Sequence, residues 1–127
     1  MSKLFLIKNL HLLISSLIII PIGVIYGFSP NFVFEVNLNS IDEHTIFKAV
    51  MGLYIAFGLL FLLGVFDTKF WSSATIANAF LMFGLALGRI ISLFSDGIPS
   101  TIFCFGIIGE IILGTFALYQ YKKQTTT

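Results

Sequence analysis

Residues 72–95 read SSATIANAFLMFGLALGRIISLFS, residues 96–100 read DGIPS, and residues 101–121 read TIFCFGIIGEIILGTFALYQY. Each of the two long segments is apolar enough, and at about 1.5 Å of rise per residue long enough, to cross roughly 30 Å of hydrocarbon as a helix. The short segment between them holds a glycine that permits a reversed backbone and a proline that cannot continue a helix. The pattern predicts two antiparallel transmembrane helices joined by a tight turn.

Two further apolar segments precede this pair. An Asn-rich stretch with interleaved aromatic residues separates them, and the polar turn Asp67-Thr68-Lys69 leads into the third segment. Asp42 or Thr45 can cap the second helix by accepting backbone N–H groups of its first turn. We therefore predict an all-α integral membrane four-helix bundle formed by one transmembrane domain, residues 1–127, with helices at about 4–26, 46–66, 72–95 and 101–121, a loop at about 27–45 and a disordered tail at about 123–127.

The composition agrees with this class of protein. The chain is 57% hydrophobic and 10% charged, against about 45–50% and about 25% in soluble domains. A net charge of +1 without a basic cluster argues against a nucleic-acid partner. The single cysteine, Cys104, excludes an internal disulfide and a cysteine metal cage. We expect the lipid bilayer as the main partner, with a homo-oligomer or a membrane partner protein as a further possibility, and no cofactor.

The distribution of lysines predicts the orientation. Positive charge near helix ends is retained on the cytoplasmic side. Five lysines share one side of the predicted bundle: Lys3, Lys8, Lys69, Lys122 and Lys123. Lys48 lies on the other side, together with most of the acidic residues. We expect both termini in the cytoplasm and the long loop outside.

Two ionisable residues lie inside predicted spans, where a charge costs roughly 2.5–3.5 kcal/mol on insertion scales. Arg89 and Glu110 differ in depth by roughly 8 Å at 1.5 Å per residue, a gap that an arginine side chain can bridge, so an ion pair is expected. Ser92 and Asp96 share a helix face with Arg89, and Lys48 can approach the mouth of this polar stripe. Three interpretations are open: a structural clamp between the last two helices, a polar pocket for a ligand or ion, and an Arg89 side chain that reaches alone to the lipid head groups.

Small residues flank these charges at spacings that let helices approach closely in lipid. The predicted packing positions are Gly52, Gly84, Gly88, Gly106 and Gly114. The first helix, apart from Lys8 and His11 at its entry, is interpreted as an apolar scaffold. His11 and His44 fall at opposite ends of their segments and cannot bind one metal together, so no metal site is predicted.

The segments that carry these residues resemble a family of small bacterial four-helix membrane proteins, the domain of unknown function 4345. The matching stretches are FKAVMGLY (47–54), GLALGRIIS (84–92), DGIPS (96–100), and Glu110 followed by Gly114. Members look arginine-bearing where Lys48 stands, so this chain keeps the charge but not the planar group. The resemblance supplies no activity. It implies a bacterial inner (plasma) membrane location and one recurring constellation: Lys48, Gly52, Tyr54, Arg89, Ser92, Asp96, Gly97, Pro99 and Glu110.

Three functions are compatible with the sequence. The first is a non-enzymatic module whose outer-half cluster binds a lipid, a small amphipathic molecule or a partner protein. The second is a proton-coupled small transporter that acts as an oligomer and uses Glu110. The third is a membrane enzyme on a lipid or quinone, with Glu110 as acid or base and Arg89 holding an anion. No catalytic motif supports the third, so we assign no catalytic residue.

Overall fold

The computed structural model describes residues 2–126, and this part of the chain forms four long helices. They are α1 (Lys3–Phe28), α2 (Ile41–Phe66), α3 (Trp71–Ser95) and α4 (Thr101–Thr125). Short 3-10 turns at Pro30–Phe32 and Thr68–Phe70 lie in the connections. Each long helix has the length and apolar composition needed to cross a membrane. The prediction of an all-helical protein with four helices long and apolar enough to span a membrane is confirmed.

The two ends of the bundle differ in their connections. Residues 29–40 and 96–100 lie at one end, which we call the loop end, and residues 67–70 lie with the helix ends near the termini at the other, the terminal end. Helix α1 packs most extensively against α2, and α3 against α4, whereas α1 makes little contact with α4. The seam between α1 and α4 is therefore loosely packed.

Helix α2 begins earlier than the predicted residue 46, because Ser40 caps it. The Ser40 hydroxyl accepts a hydrogen bond from the Glu43 N–H at 3.1 Å, and the Glu43 carboxylate accepts one from the Asn39 N–H at 2.8 Å. This arrangement is close to the capping box, whose Ser-x-x-Glu pattern is present at 40–43. The predicted caps Asp42 and Thr45 lie instead inside the helix.

The other helix ends also have local causes. Gly97 has a φ of +105°, in the region that favours glycine, and it ends the run of α3. Helix α4 continues through Thr125, beyond the predicted end at about 121. The predicted tail at about 123–127 is thus largely helical over the described residues, and Thr127 lies outside them.

The connection between α1 and α2 folds back over the loop end. Phe34 is 6% exposed and stacks between the rings of Tyr26 and Phe103, at centroid distances of 4.9 and 4.8 Å. Stacked aromatic pairs at these distances contribute about 0.5–1.5 kcal/mol beyond their buried area. Phe34 of the loop, together with Tyr26 and Phe103, therefore forms a stack of aromatic rings that covers this end of the bundle.

The structure corrects the predicted glycine contacts. A Cβ atom added to Gly52, Gly84 or Gly88 would meet nothing within 4 Å, and one on Gly106 would meet only the Glu110 carboxylate at 3.6 Å. Gly114 does lie close, since a Cβ there would be 3.0 Å from the Phe83 ring. The other close approaches involve different glycines, chiefly in the α1–α2 pair: Gly23, Gly27, Gly58 and Gly64. Small residues alone did not distinguish the inward from the outward helix faces.

Replacing Gly23 with alanine should destabilise the bundle, whereas Gly52→Ala should not. A Cβ on Gly23 would lie 2.7 Å from the Cβ of Tyr54, which is fixed to its backbone and cannot move aside. Overpacking of this kind costs about 1–3 kcal/mol. Equilibrium unfolding in mixed detergent micelles measures both variants, and equal stability of the two would contradict the packing described for α1 and α2.

Candidate functional site: an ion pair beside an apolar cleft

The structure contains an ion pair between α3 and α4 in the loop half of the bundle. Arg89 Nε lies 2.6 Å from Glu110 Oε1 and 3.4 Å from Oε2. The side chains are 23% and 10% exposed, respectively. Because a lone charge in hydrocarbon is costly, the pairing lets both residues lie inside the membrane-spanning region.

Aromatic residues from α1, α2, α4 and the connection between α1 and α2 lie around the guanidinium group. The Phe103 ring centroid lies 5.2 Å from Arg89 Cζ, within the range of a cation–π contact. The Tyr26 hydroxyl is 3.5 Å from Arg89 Nη2, and the Tyr26 and Tyr54 rings meet edge to face at 5.6 Å. Phe34 covers Tyr26 and Phe103 from the loop side. The ion pair therefore has a wall of rings around it and two phenol hydroxyl groups nearby.

A cleft of about 320 Å³ adjoins the ion pair. Its walls come mainly from aliphatic and aromatic side chains of α1, α3 and α4, and its polar part consists of Arg89, Glu110, Tyr26 and Tyr54. At its rim, Ile18, Ile102 and Phe105 are 42%, 43% and 67% exposed. In a bilayer these exposed apolar rim residues face lipid, so the cleft opens sideways into the membrane between α1 and α4.

The remaining residues of the predicted polar cluster form their hydrogen bonds elsewhere, although Ser92 lines a small cavity together with Arg89. Lys48 Nζ donates to the Gly27 carbonyl oxygen at 3.0 Å. This contact lies near the C-terminal end of α1, where the helix dipole stabilises a cation. The Ser92 hydroxyl donates to Asp96 Oδ2 at 2.9 Å in an exposed contact. Together with Tyr54 from the family constellation, these residues divide into three groups, of which Arg89, Glu110 and Tyr54 line the cleft.

The interpretation of the first helix as an apolar scaffold is wrong. Helix α1 contributes Tyr26 and several aliphatic side chains to the cleft, and it buries four polar residues nearer the terminal end: Asn9, His11, Ser15 and Ser16. Tyr26 and Phe34 were not identified as site residues from the sequence. The Tyr26–Arg89 contact joins residues 63 positions apart, and no local pattern indicates such a contact.

The site offers hydrogen-bonding and ion-pairing groups. Among residues 2–126, no three His, Cys, Asp or Glu side chains come together in a way that could hold a metal ion. Arginine, carboxylate and phenol groups can bind a polar head, and the adjoining apolar walls can bind a hydrocarbon chain.

The fold and this site define a small multi-pass helical membrane protein with a neutralised charge pair at an apolar cleft. The chain belongs to the family described as Domain of unknown function (DUF4345), whose model matches residues 7–120. No curated protein and no solved structure matches it. The family match spans all four helices, and with them the ion pair and the cleft.

The ion pair should show strong energetic coupling. Arg89→Gln or Glu110→Gln alone leaves one buried charge without its partner, which costs about 3–5 kcal/mol of unfolding free energy. The double variant leaves no charge unpaired and should lose much less than the sum of the two single losses. Equilibrium unfolding of all four proteins in mixed micelles measures the coupling.

The exposed Asp96→Asn variant is the control for that experiment, and its unfolding free energy should change by no more than about 0.5 kcal/mol. Additive losses in the double variant would show that Arg89 and Glu110 do not act as a pair.

Proposed function

We propose that this protein is a non-enzymatic membrane module that binds one amphipathic, lipid-like molecule in the cleft between α1 and α4. One observation carries the proposal: the Arg89–Glu110 ion pair forms the polar wall of a cleft that is otherwise apolar and opens toward the bilayer. An ion pair in a filled helix interface would serve only as a clamp. Here the same pair also borders accessible space, so it can meet a ligand.

The apolar part of the cleft suits a hydrocarbon chain or a small ring system. Its volume of about 320 Å³ is at the lower end of the roughly 300–1,000 Å³ found for small-molecule sites. Ile22, Leu85 and Leu113 are among its lining residues. We therefore expect a single chain or ring to enter, with the rest of the molecule remaining in the bilayer.

The polar part favours an uncharged head group. Glu110 already neutralises Arg89, so an anionic head would have to compete with that carboxylate for the guanidinium group. An uncharged oxygen can instead accept hydrogen bonds from the remaining Arg89 N–H groups or from the Tyr26 and Tyr54 hydroxyls. A carbonyl, ester or alcohol oxygen has the required chemistry.

We further propose that the loop end faces the exterior of the cell and that both termini lie in the cytoplasm of a bacterium, with the protein in its inner membrane. Five lysines at the terminal end, against Lys48 near the loop end, support this orientation. In this orientation the ion pair and the cleft occupy the outer half of the membrane.

Single-cysteine labelling tests the orientation. In a Cys104→Ala background, Asn37→Cys places a thiol in the long loop and Lys69→Cys places one in the turn between α2 and α3; both positions are exposed. In intact cells, a membrane-impermeant maleimide should label only the Asn37→Cys variant, and the Lys69→Cys variant should be labelled only after permeabilisation. The reverse pattern would invert the proposed orientation.

Filling the cleft should displace its ligand. Gly109 lines the cleft, and a Cβ atom on it would meet nothing within 4 Å. Gly109→Phe should therefore place a ring in the ligand's space without overpacking the protein. Native mass spectrometry of protein extracted from membranes in mild detergent measures the bound lipid-like mass.

The matched control is Gly88→Phe, at another glycine with open space around its Cβ position but outside the cleft lining. We expect a bound mass in the wild type and in Gly88→Phe and its loss in Gly109→Phe. The proposal fails if the wild type carries no such mass, or if the two phenylalanine variants retain it equally.

A further inference from the structure

We infer that the terminal half of the bundle is a second binding site, which holds water molecules within the membrane-spanning region. The site is formed by buried polar side chains of α1, α3 and α4 that we call the terminal polar layer: His11, Ser15, Trp71, Thr75, Asn78 and Gln120. It lies outside the cleft lining and shares no residue with it.

Hydrogen bonds connect residues of this layer on α3 and α4 to one stretch of α1, residues 7–11. His11 Nε2 lies 2.9 Å from the Thr75 hydroxyl, and the Asn78 amide donates to the His11 carbonyl oxygen at 3.3 Å. From α4, the Gln120 amide donates to the Ile7 carbonyl oxygen, also at 3.3 Å. The His11 and Trp71 rings meet edge to face at 5.9 Å. The polar groups therefore belong to one packed region.

These side chains are buried, yet part of their hydrogen-bonding capacity has no protein partner. His11, Ser15 and Asn78 are 0% exposed, and Gln120 is 2% exposed. Within residues 2–126, five polar atoms of the layer find no partner: His11 Nδ1, Ser15 Oγ, Trp71 Nε1, Asn78 Oδ1 and Gln120 Oε1. Buried polar groups in proteins are nearly always hydrogen-bonded, to protein or to ordered water.

The chemistry of these atoms selects water as the ligand. The amide oxygens of Asn78 and Gln120 can only accept hydrogen bonds, whereas the indole N–H of Trp71 can only donate. A cation would satisfy the acceptors alone, and an anion the donors alone. Water donates and accepts, so it can bridge both kinds of group, as it does between buried polar groups elsewhere.

Apolar residues that line the near end of the cleft separate these waters from the cleft's polar residues. Ile19, Met82 and Leu113 are 3%, 1% and 8% exposed, and each lies between the terminal polar layer and the cleft's polar residues along its own helix. Water should thus enter the layer from the terminal end, and its binding should not depend on a ligand in the cleft.

Radiolytic hydroxyl-radical labelling of the full-length protein in lipid nanodiscs tests this site, because radicals formed from bound water oxidise the adjacent side chains. His11 and Phe61 are both 0% exposed, and Phe61 belongs to the apolar core. We expect His11 to be oxidised several-fold more than Phe61. Equal, low oxidation of the two would show a dry layer and overturn the inference.

The Asn78→Leu/Gln120→Leu variant removes the two acceptor oxygens and should lower His11 oxidation several-fold, while leaving the exposed Tyr119 unchanged as a folding control. Unchanged His11 oxidation in that variant would show that radicals reach the residue by transient opening, and this too would overturn the inference. If the variant does not insert, Ser15→Ala is measured with the same expectation.

Discussion

The ion pair between Arg89 and Glu110 constrains the loop half of this protein. Neither charge can face lipid alone, so the two side chains must lie side by side wherever their helices cross the membrane. The turn at residues 96–100 is too short to let α3 and α4 separate, and the 2.6 Å contact sets their relative position. The other features of the site are arranged around this contact.

The cleft follows from how the remaining helices meet this constrained pair. Helix α1 packs closely on α2, where a Cβ atom added to Gly23 would collide with Tyr54 and one added to Gly58 would collide with Ile20. With α1 held there, its contact with α4 is slight. The open seam exposes the ion pair on one side. Phe34, stacked on Phe103, covers the cleft from the loop end. A charge clamp and a ligand pocket are therefore not exclusive in this fold.

Much of the fold could be predicted from the sequence, because membrane insertion depends on local properties. Hydrophobic length identifies each of the four spans, and the glycine and proline of residues 96–100 identify the turn. The expected Arg89–Glu110 contact required only helix rise and a short connection. Even the true start of α2 was present as a local pattern, the Ser-x-x-Glu sequence at 40–43.

The contacts that could not be predicted depend on helix rotation and on pairs distant in sequence. Hydrophobic residues face both lipid and the core, so the apolar pattern does not show which face of α2 or α3 packs inward. Gly52, Gly84 and Gly88 were therefore assigned to interfaces that they do not enter. Lys48 can reach several oxygens from its position, and only the fold shows that it meets the Gly27 carbonyl.

Along the bundle axis, the buried polar residues form two regions that differ in whether their charges and hydrogen bonds are satisfied within the protein. In the loop half, the charges satisfy each other, so the adjoining cleft is neutral and can accept an amphipathic molecule without disrupting the pair. In the terminal half, neutral amide, imidazole and hydroxyl groups satisfy each other only in part, and such groups bind water more readily than hydrocarbon. Because Met82 and its apolar neighbours lie between the polar groups of the two regions, the two proposed ligands, lipid-like and aqueous, would not meet in this small bundle.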